Sequence, residues 1–152
     1  MKNPIEIIKR DHRKVEELFK EYEDVAPDAY DTKEKIVARL SRELRLHADM
    51  EERIFYPKAK EVFASNDDKM VEEGFAEHDV VKRLIEELSV THPEDPQFDA
   101  RVKVLNQNVA HHVMEEEQEL LPKAESVMSE ALLNQLGEEM EQFKLENSPH
   151  EA

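Results

Sequence analysis

The sequence predicts an all-α fold, an antiparallel up-down four-helix bundle with an additional short C-terminal helix. Only two of the 152 residues are glycines and 38% are charged, a composition that favours helices over strands. Long Glu-, Lys- and Arg-rich stretches carry Leu, Ile and Val at helical spacing, and short polar turns separate them. Short connections force neighbouring helices to run antiparallel. A chain of this length has room for one core, so we expect one domain over residues 1–152 with a four-helix core over about residues 4–125.

Caps and prolines define where the predicted helices begin and end. Asn3 followed by Pro4 is a typical helix start, because the Asn side chain caps free amides and proline fits the first helical position. We expect Thr32 or Asp31 to cap the second helix, and Pro57 to bend that helix near its end. The five predicted helices span about residues 4–25, 32–62, 68–90, 97–125 and 129–147.

The charge and the absence of cysteine exclude several classes of function. The formal net charge of −16 repels phosphate groups, so we expect neither nucleic acid nor an anionic membrane surface as a partner. Without cysteine, any metal must bind to imidazole nitrogen and to oxygen. No stretch reaches the roughly 18 apolar residues of a membrane-spanning helix, and the sequence therefore predicts a soluble, cytoplasmic protein.

Polar residues interrupt the apolar stripe that should face the core on each of the four long helices. Between Ile8 and Val15 on the first helix, the three-and-four spacing of the stripe requires position 12, which is His12. On the second helix, two successive turns of the stripe carry His47 and Glu51. The third and fourth helices complete the set with His78, His112 and Glu116.

A metal centre explains these residues better than ordinary buried polar side chains do. A single histidine on such a stripe is most simply a buried imidazole that pairs with a carboxylate. Two buried carboxylates among four histidines need another explanation, because an ionised carboxylate buried without a counter-charge costs several kcal/mol. A cation bound between them would supply that counter-charge. His111 points away from the stripe, and His92 and His150 lie in a predicted loop and tail. The simpler alternative is a bundle without a metal. If a metal does bind, the nitrogen and oxygen ligands favour iron or manganese over structural zinc.

The two halves of the chain repeat this pattern. The segment HADMEERIFYP, which begins at His47, matches HVMEEEQELLP, which begins at His112, with histidine, glutamates and proline in register. An acid–histidine pair precedes each segment at a similar distance, at positions 11–12 and 77–78. The sequence therefore predicts that one helix pair is used twice and that the site is symmetric.

The duplication also predicts the role of each glutamate in the repeated segments. Glu51 and Glu116 would lie between the two halves and bridge two metal ions. Glu52 and Glu117 follow one position later and point about 100° away, so we expect them either in an outer layer around the metal ligands or in solvent.

These residues resemble the hemerythrin-like proteins, also called HHE cation-binding domains. The resemblance rests on the paired His-x-x-x-Glu-Glu segments ending in proline, each with its upstream acid–histidine pair, and covers nearly the whole chain up to Pro122. It implies a four-helix bundle with two non-haem iron ions, bridging carboxylates, an oxo or hydroxo bridge, and reactivity toward dioxygen, peroxide or nitric oxide. By this resemblance Glu51 and Glu116 bridge the irons, and the terminal ligands are His12, His47, His78 and His112.

One departure from this family concerns the fifth histidine of the oxygen-carrying hemerythrins. Those proteins place it one turn from the third-helix ligand and use an Asp as one bridge, whereas the turns flanking His78 carry Gly74 and Lys82, and both bridges are Glu. Tyr56 has two interpretations: a tyrosine packed at a helix end, or a phenolate ligand brought inward by a bend at Pro57. A phenolate ligand would favour ferric iron and shift the centre from oxygen carriage toward peroxide disproportionation.

The sequence therefore predicts a non-haem di-iron protein that binds or reacts with a small oxidant, peroxide or dioxygen. Catalase-like peroxide disproportionation and oxygen binding are the two leading outcomes, so enzymatic turnover is left open. The alternative is an iron- or oxygen-sensing module, or one that handles nitric oxide or repairs iron centres, without turnover. Buried carboxylates that need a cation would make the folding of such a sensor depend on its metal.

Overall fold

The computed structural model describes residues 3–148, so residues 1–2 and 149–152 of the predicted domain, including His150, lie outside the described range. Within that range the chain forms helices and short connections without a strand, which confirms the predicted all-α fold. The α-helices are α1 (Pro4–Glu23), α2 (Tyr30–Met50), α3 (Tyr56–Val62), α4 (Lys69–Ser89), α5 (Pro96–Glu115), α6 (Leu121–Val127) and α7 (Glu130–Asn147).

Two helix pairs and one further helix make up the bundle. α1 packs along α2 and α4 packs along α5, so each repeated unit of the sequence forms one pair, and α7 packs against α1 and α2 as the additional C-terminal helix. Among residues 3–148, one apolar cluster surrounds Phe19 and Leu105, and another surrounds Phe55 and Met140. No helix in this part of the chain combines the length and the apolar character needed to cross a membrane.

One-turn π-helical segments, Glu51–Phe55 and Glu116–Leu120, join α2 to α3 and α5 to α6. The second residue after each segment is a proline, Pro57 or Pro122. Proline lacks an N–H and its ring clashes with the carbonyl four residues earlier, and the wider π-turn accommodates both effects. The bend predicted at Pro57 is thus a π-helical turn, and its extra residue rotates Tyr56 by about 100° toward the bundle interior.

The observed caps match the sequence signals at α1 but not at α2. Asn3 caps α1 as predicted, with its Oδ1 atom 2.8 Å from a backbone amide of the first turn. α2 begins at Tyr30, and no described side chain caps it, so the prediction that Thr32 or Asp31 caps this helix was wrong. The backbone turn at residues 26–29 already directs the chain into a helical conformation, which explains the earlier start.

A buried lysine fastens the beginning of α2 to its neighbours. Lys33 is 4% exposed, and its ammonium group donates to the Pro27 carbonyl at 2.9 Å and to the two Asp99 oxygens at 3.1 and 3.2 Å. The Tyr22 hydroxyl also donates to Asp99, and this hydrogen bond is the main reason why the pKa of Asp99 lies below its ordinary value. The contacts connect the start of α5 with the end of α1 and the start of α2.

We expect Asp99→Ala to lower the free energy of unfolding by about 1–3 kcal/mol, because the buried Lys33 ammonium would lose its carboxylate acceptor. Urea denaturation at neutral pH measures this loss. In the wild type the part of this stabilisation that depends on the Asp99 charge is present above the unfolded-state pKa of Asp, about 3.9, and is lost as the pH falls through the lower folded-state value. Solvent screening reduces this part, because the Asp99 side chain is 63% exposed. The double variant Lys33→Met with Asp99→Ala removes the buried charge, and if it proves as unstable as the single variant, this explanation is wrong.

Candidate metal centre

The six residues predicted from the apolar stripes meet in one buried cluster between the two apolar clusters. The first helix pair contributes two imidazoles whose ring centres lie 5.0 Å apart, and the second contributes two that lie 4.8 Å apart. The pairing of imidazoles within each repeated unit is what the duplication predicts. The cluster consists of His12, His47, Glu51, His78, His112 and Glu116.

Each carboxylate of the cluster reaches one imidazole of each helix pair. Glu51 Oε1 lies 3.0 Å from His47 Nε2 and 3.2 Å from His78 Nε2. Its counterpart Glu116 contacts the other imidazole of each pair. Glu116 Oε1 lies 3.1 Å from His12 Nε2, and Glu116 Oε2 lies 3.3 Å from His112 Nε2. Carboxylates that extend between the halves in this way are suited to the predicted bridging role.

Several polar atoms of the cluster are buried without a hydrogen-bond partner among residues 3–148. Some nitrogen–oxygen distances are short enough for an ion pair, but these atoms are not aligned for hydrogen bonds. Leaving a buried polar atom unpaired costs about 1–3 kcal/mol, so bound cations that accept both nitrogen and oxygen ligands would satisfy the cluster. The unpartnered atoms are His12 Nε2, His47 Nε2, both oxygens of Glu51 and Oε1 of Glu116.

Within each helix pair, a carboxylate holds the outer nitrogen of one imidazole. Asp11 Oδ2 lies 2.7 Å from Nδ1 of His47, and Glu77 Oε1 lies 2.6 Å from Nδ1 of His112. This contact fixes the ring so that Nε2 faces the centre of the cluster. The sequence shows Asp11 and Glu77 as members of the repeat but does not assign them this role, although their recurrence before a stripe histidine is a signal for it.

Between the helix pairs, the second glutamate of each repeated Glu-Glu holds the other two imidazoles. Glu52 Oε2 lies 2.8 Å from Nδ1 of His78, and Glu117 Oε2 lies 2.6 Å from Nδ1 of His12. The prediction of an outer layer of carboxylates is confirmed, and the alternative of a purely solvated position is wrong. Because each half supplies a carboxylate to a histidine of the other half, the two repeated units are interlocked around the cluster.

In the absence of a cation, protons balance the charge of the cluster. Burial lowers the pKa of His112, but the Glu116 carboxylate outweighs this effect and the pKa rises to about 10. The pKa of His47 also lies well above its ordinary value, because Glu51 and the hydrogen bond to Asp11 outweigh burial. For Asp11, burial acts to raise the pKa, but the contacts with His47 win and the pKa falls to about 2. The metal-free cluster therefore carries imidazolium groups at neutral pH.

We expect metal loading to release at least two protons per chain at pH 7, because a metal ligand must be a neutral imidazole and both His47 and His112 are protonated beforehand. His78, whose pKa is also raised, would add to this number. The apparent affinity should fall as the pH falls below about 10, the pKa of His112. Calorimetric titration with Mn²⁺ in buffers of different ionisation enthalpy measures the protons released. Loading that releases no protons would contradict the protonation of the cluster described above.

The π-helical turn places Tyr56 against the cluster. Its hydroxyl donates to Glu116 Oε2 at 2.5 Å and lies 3.5 Å from Nε2 of both His78 and His112. The phenol ring stacks on the His78 ring at 5.2 Å with 15° between the planes. Burial and the Glu116 charge raise the pKa of Tyr56 well above its ordinary value, so it is a neutral phenol while no cation is bound. Its orientation meets the condition for ligation, and ligation itself stays a prediction.

Gly74 leaves the space that Tyr56 occupies. A Cβ atom at position 74 would lie 2.7 Å from the Tyr56 hydroxyl oxygen and 2.8 and 2.9 Å from two ring carbons, too close for non-bonded atoms. Position 74 is one turn before His78, where the sequence departs from the oxygen-carrying hemerythrins. A side chain at position 74 and an inward Tyr56 therefore exclude each other.

An apolar cavity of about 30 Å³ lies beside the imidazoles, a volume that holds one or two water-sized molecules. A groove of about 300 Å³ on the surface between α1 and α5 shares part of its wall with this cavity. The shared residues are Val15, Val109 and Val113. A small uncharged molecule that passes these side chains would reach the imidazoles.

The comparison with known protein families agrees with the geometry of the cluster. Residues 3–124 match the Hemerythrin HHE cation binding domain. The chain belongs to this family. The His/Glu cluster of this hemerythrin-like protein is able to bind metal cations, since its ligand atoms form two groups, each with all atoms within 4.8 Å of one another.

Three similar proteins put this membership in context. A Nostoc sp. protein named DNA nickase is 29% identical over 139 residues, 91% of this chain and 38% of that protein. An uncharacterized hemerythrin-like protein of Schizosaccharomyces pombe is 28% identical over 122 residues, 80% of this chain and 59% of that protein. This chain thus spans less than two thirds of both relatives. A Hemerythrin HHE cation binding domain-containing protein from Mycobacterium kansasii shares the fold, with a TM-score of 0.79 at 23% identity over 99% of this chain and 96% of that one.

Proposed function

We propose that this hemerythrin-like protein binds two iron ions and uses them to react with peroxide or to bind dioxygen. The proposal rests on the buried nitrogen and oxygen atoms of residues 3–148 that face one another without hydrogen-bond partners. Imidazole and carboxylate are ligands that iron accepts. We further propose, as the sequence predicts, one domain over residues 1–152 and a cytoplasmic location.

The two groups of ligand atoms suggest an asymmetric pair of ions. One group combines Glu51 and Glu116 with the imidazoles of the second helix pair, and the Tyr56 hydroxyl lies within 3.5 Å of both imidazoles. The other group combines Glu116 with His12 and His47. The ion in the first group would have more protein ligands, so we assign the open position for a small molecule to the ion on His12 and His47.

The surrounding residues would control how a small oxidant reacts. Bound iron supplies the redox change and a Lewis-acidic position for the oxidant. Val15, Val109 and Val113 limit the access of water and leave room for one small molecule. Tyr56 holds its proton against Glu116 and would release it on binding iron as a phenolate. Phenolate donation favours ferric iron, which supports peroxide disproportionation over reversible oxygen carriage.

Metal analysis followed by stopped-flow mixing with hydrogen peroxide tests this proposal. Protein loaded with ferrous iron under nitrogen should retain about two irons per chain. Sustained oxygen evolution would support the enzymatic form, and a spectral change with dioxygen that reverses under vacuum would support oxygen binding. A preparation that holds one zinc ion per chain and does not retain iron would overturn the proposal.

A sensor without turnover is the second candidate, because removal of the cations leaves Glu51 and Glu116 buried with unpartnered oxygens among the described residues. Such coupling would lower the melting temperature of the metal-free protein relative to the loaded protein. A spectral change with an oxidant or with nitric oxide, without catalytic turnover, would favour a sensing, nitric oxide or iron-repair role over the enzymatic form.

We propose a small molecule (peroxide, dioxygen or nitric oxide) as the ligand, and neither nucleic acid nor a membrane as a partner. The Nostoc relative is named a DNA nickase, but this chain spans only 38% of that protein and has a net charge of −16. This charge opposes binding to a phosphate backbone. Supercoiled plasmid incubated with the protein and Mg²⁺ should stay intact, and nicking in proportion to protein concentration would contradict this part of the proposal.

A further inference from the structure

A further group of metal-ligating side chains lies beside the buried cluster, near the surface. His111 Nε2 lies 2.8 Å from Glu115 Oε1 and 3.8 Å from Glu77 Oε2. One ligand atom from each of the three side chains fits within 4.8 Å of the others. The side chain of His111 is 58% exposed and those of Glu77 and Glu115 are 27% and 30% exposed, so an ion held there could keep several water ligands.

Glu77 belongs to both this surface group and the buried cluster. Its Oε1 atom lies 2.6 Å from Nδ1 of His112, while its Oε2 atom is the one that faces His111. A cation at the surface group would therefore be separated from an imidazole of the buried cluster by a single carboxylate. His111, which the sequence places off the apolar stripe, directly precedes His112 on α5 and faces the surface side of Glu77.

A narrow cleft lies between Glu77 and Glu115 of the surface group and Glu116 of the buried cluster. Its volume is about 10 Å³, close to the space that one water molecule needs. Glu116 lies in its wall and is 2% exposed, and its Oε1 atom, unpartnered within the described chain, lies 3.1 Å from His12 Nε2 in the buried cluster. Gly74 contributes no side chain to the wall of the cleft. Most of the other residues that line the cleft carry carboxylates, which attract cations. These acidic residues are Glu73, Glu77, Glu115 and Glu119.

We propose that Glu77, His111 and Glu115 form a second, half-exposed site for a divalent transition-metal ion. A ferrous ion binds there first, then sheds water and passes along the cleft to Glu116. One nitrogen and two carboxylate ligands suit Fe²⁺, Mn²⁺ and Zn²⁺, and the strongly negative chain brings such ions to the surface. The role in loading rests on the proposed iron centre, whereas binding at the surface site does not.

Titration with Mn²⁺, followed by electron paramagnetic resonance, tests the surface site directly. The wild-type protein should bind one more Mn²⁺ per chain than His111→Ala does, whether or not the buried centre is filled with iron. The matched control is His92→Ala, which removes another exposed histidine that lies 3.8 Å from a glutamate. Equal Mn²⁺ binding by wild type and His111→Ala would overturn the site and show that His111 forms a surface ion pair only.

Anaerobic stopped-flow loading with Fe²⁺ tests the path to the buried centre. His111→Ala should load about tenfold more slowly than wild type or His92→Ala and still reach the same final iron content, because the buried ligands are intact. Loss of the extra Mn²⁺ with an unchanged loading rate would overturn the role in loading. If the wild type holds no iron at the buried centre, the proposed function fails, and the Mn²⁺ titration still decides whether the surface site exists.

Discussion

Glu116→Ala is expected to reduce the iron retained by the protein from about two ions per chain to less than one. Glu116 is the residue that the two groups of ligand atoms share, and its oxygens lie 3.1 and 3.3 Å from imidazoles of different helix pairs. Its loss therefore removes an anionic ligand from both proposed ion positions. Iron content after gel filtration under nitrogen, determined by optical emission spectrometry, measures the effect.

A purely structural role for Glu116 predicts a different result. If Glu116 served only to pair with histidines, Glu116→Ala would destabilise the metal-free and the loaded protein by similar amounts, whereas the loss of a metal ligand adds a further loss in the loaded protein only. We expect the gain in melting temperature on iron loading to be nearly abolished, since that gain reflects binding to the folded state. Glu125→Ala, which removes an exposed glutamate from α6, should keep both the iron and the gain in melting temperature. A variant at Glu116 that retains two irons would exclude it as a bridge.

The positions of the clustered side chains could be predicted from the sequence because they follow from helical periodicity alone. His12 fills the slot between Ile8 and Val15 on the apolar stripe, and the structure buries it between the two apolar clusters. Burying the Glu51 carboxylate without a counter-charge would be costly, so the sequence already indicates a bound cation before any tertiary contact is known. Helical periodicity shows which face of each helix is buried, and this was sufficient to predict the six residues of the buried cluster.

Helical periodicity does not predict which histidine each outer carboxylate contacts. Whether Asp11 meets His47, or Glu52 meets His78, depends on how far one helix is shifted along its neighbour. The sequence gives the repeat but not this shift. The orientation of Tyr56 has a similar origin, because a proline signals a distortion without specifying whether it is a kink or a π-turn. In the structure a π-turn precedes Tyr56, and its side chain lies inward.

Gly74→Ala should displace Tyr56 and remove any signal that depends on its contact with iron. The added methyl group would lie 2.7 Å from the hydroxyl oxygen, so the tyrosine must leave its position or α4 must move away. Overpacking of this kind typically costs about 1–3 kcal/mol of unfolding free energy. If Tyr56 is a phenolate ligand, the iron-loaded wild type has a broad visible charge-transfer band, and we expect both Gly74→Ala and Tyr56→Phe to lose it. A band that survives in Tyr56→Phe would exclude Tyr56 as the ligand.

A double-mutant cycle separates the clash from other effects of the new methyl group. In a Tyr56→Ala background the ring is absent, so Gly74→Ala should no longer destabilise the protein. It should instead stabilise α4 by about 0.5–1 kcal/mol, because alanine is the better helix former. The sign of the effect therefore reverses between the two backgrounds only if Gly74 and Tyr56 exclude each other. A constant cost in both would mean that the glycine is required for another reason and that the absence of a side chain beside His78 is unrelated to the inward tyrosine.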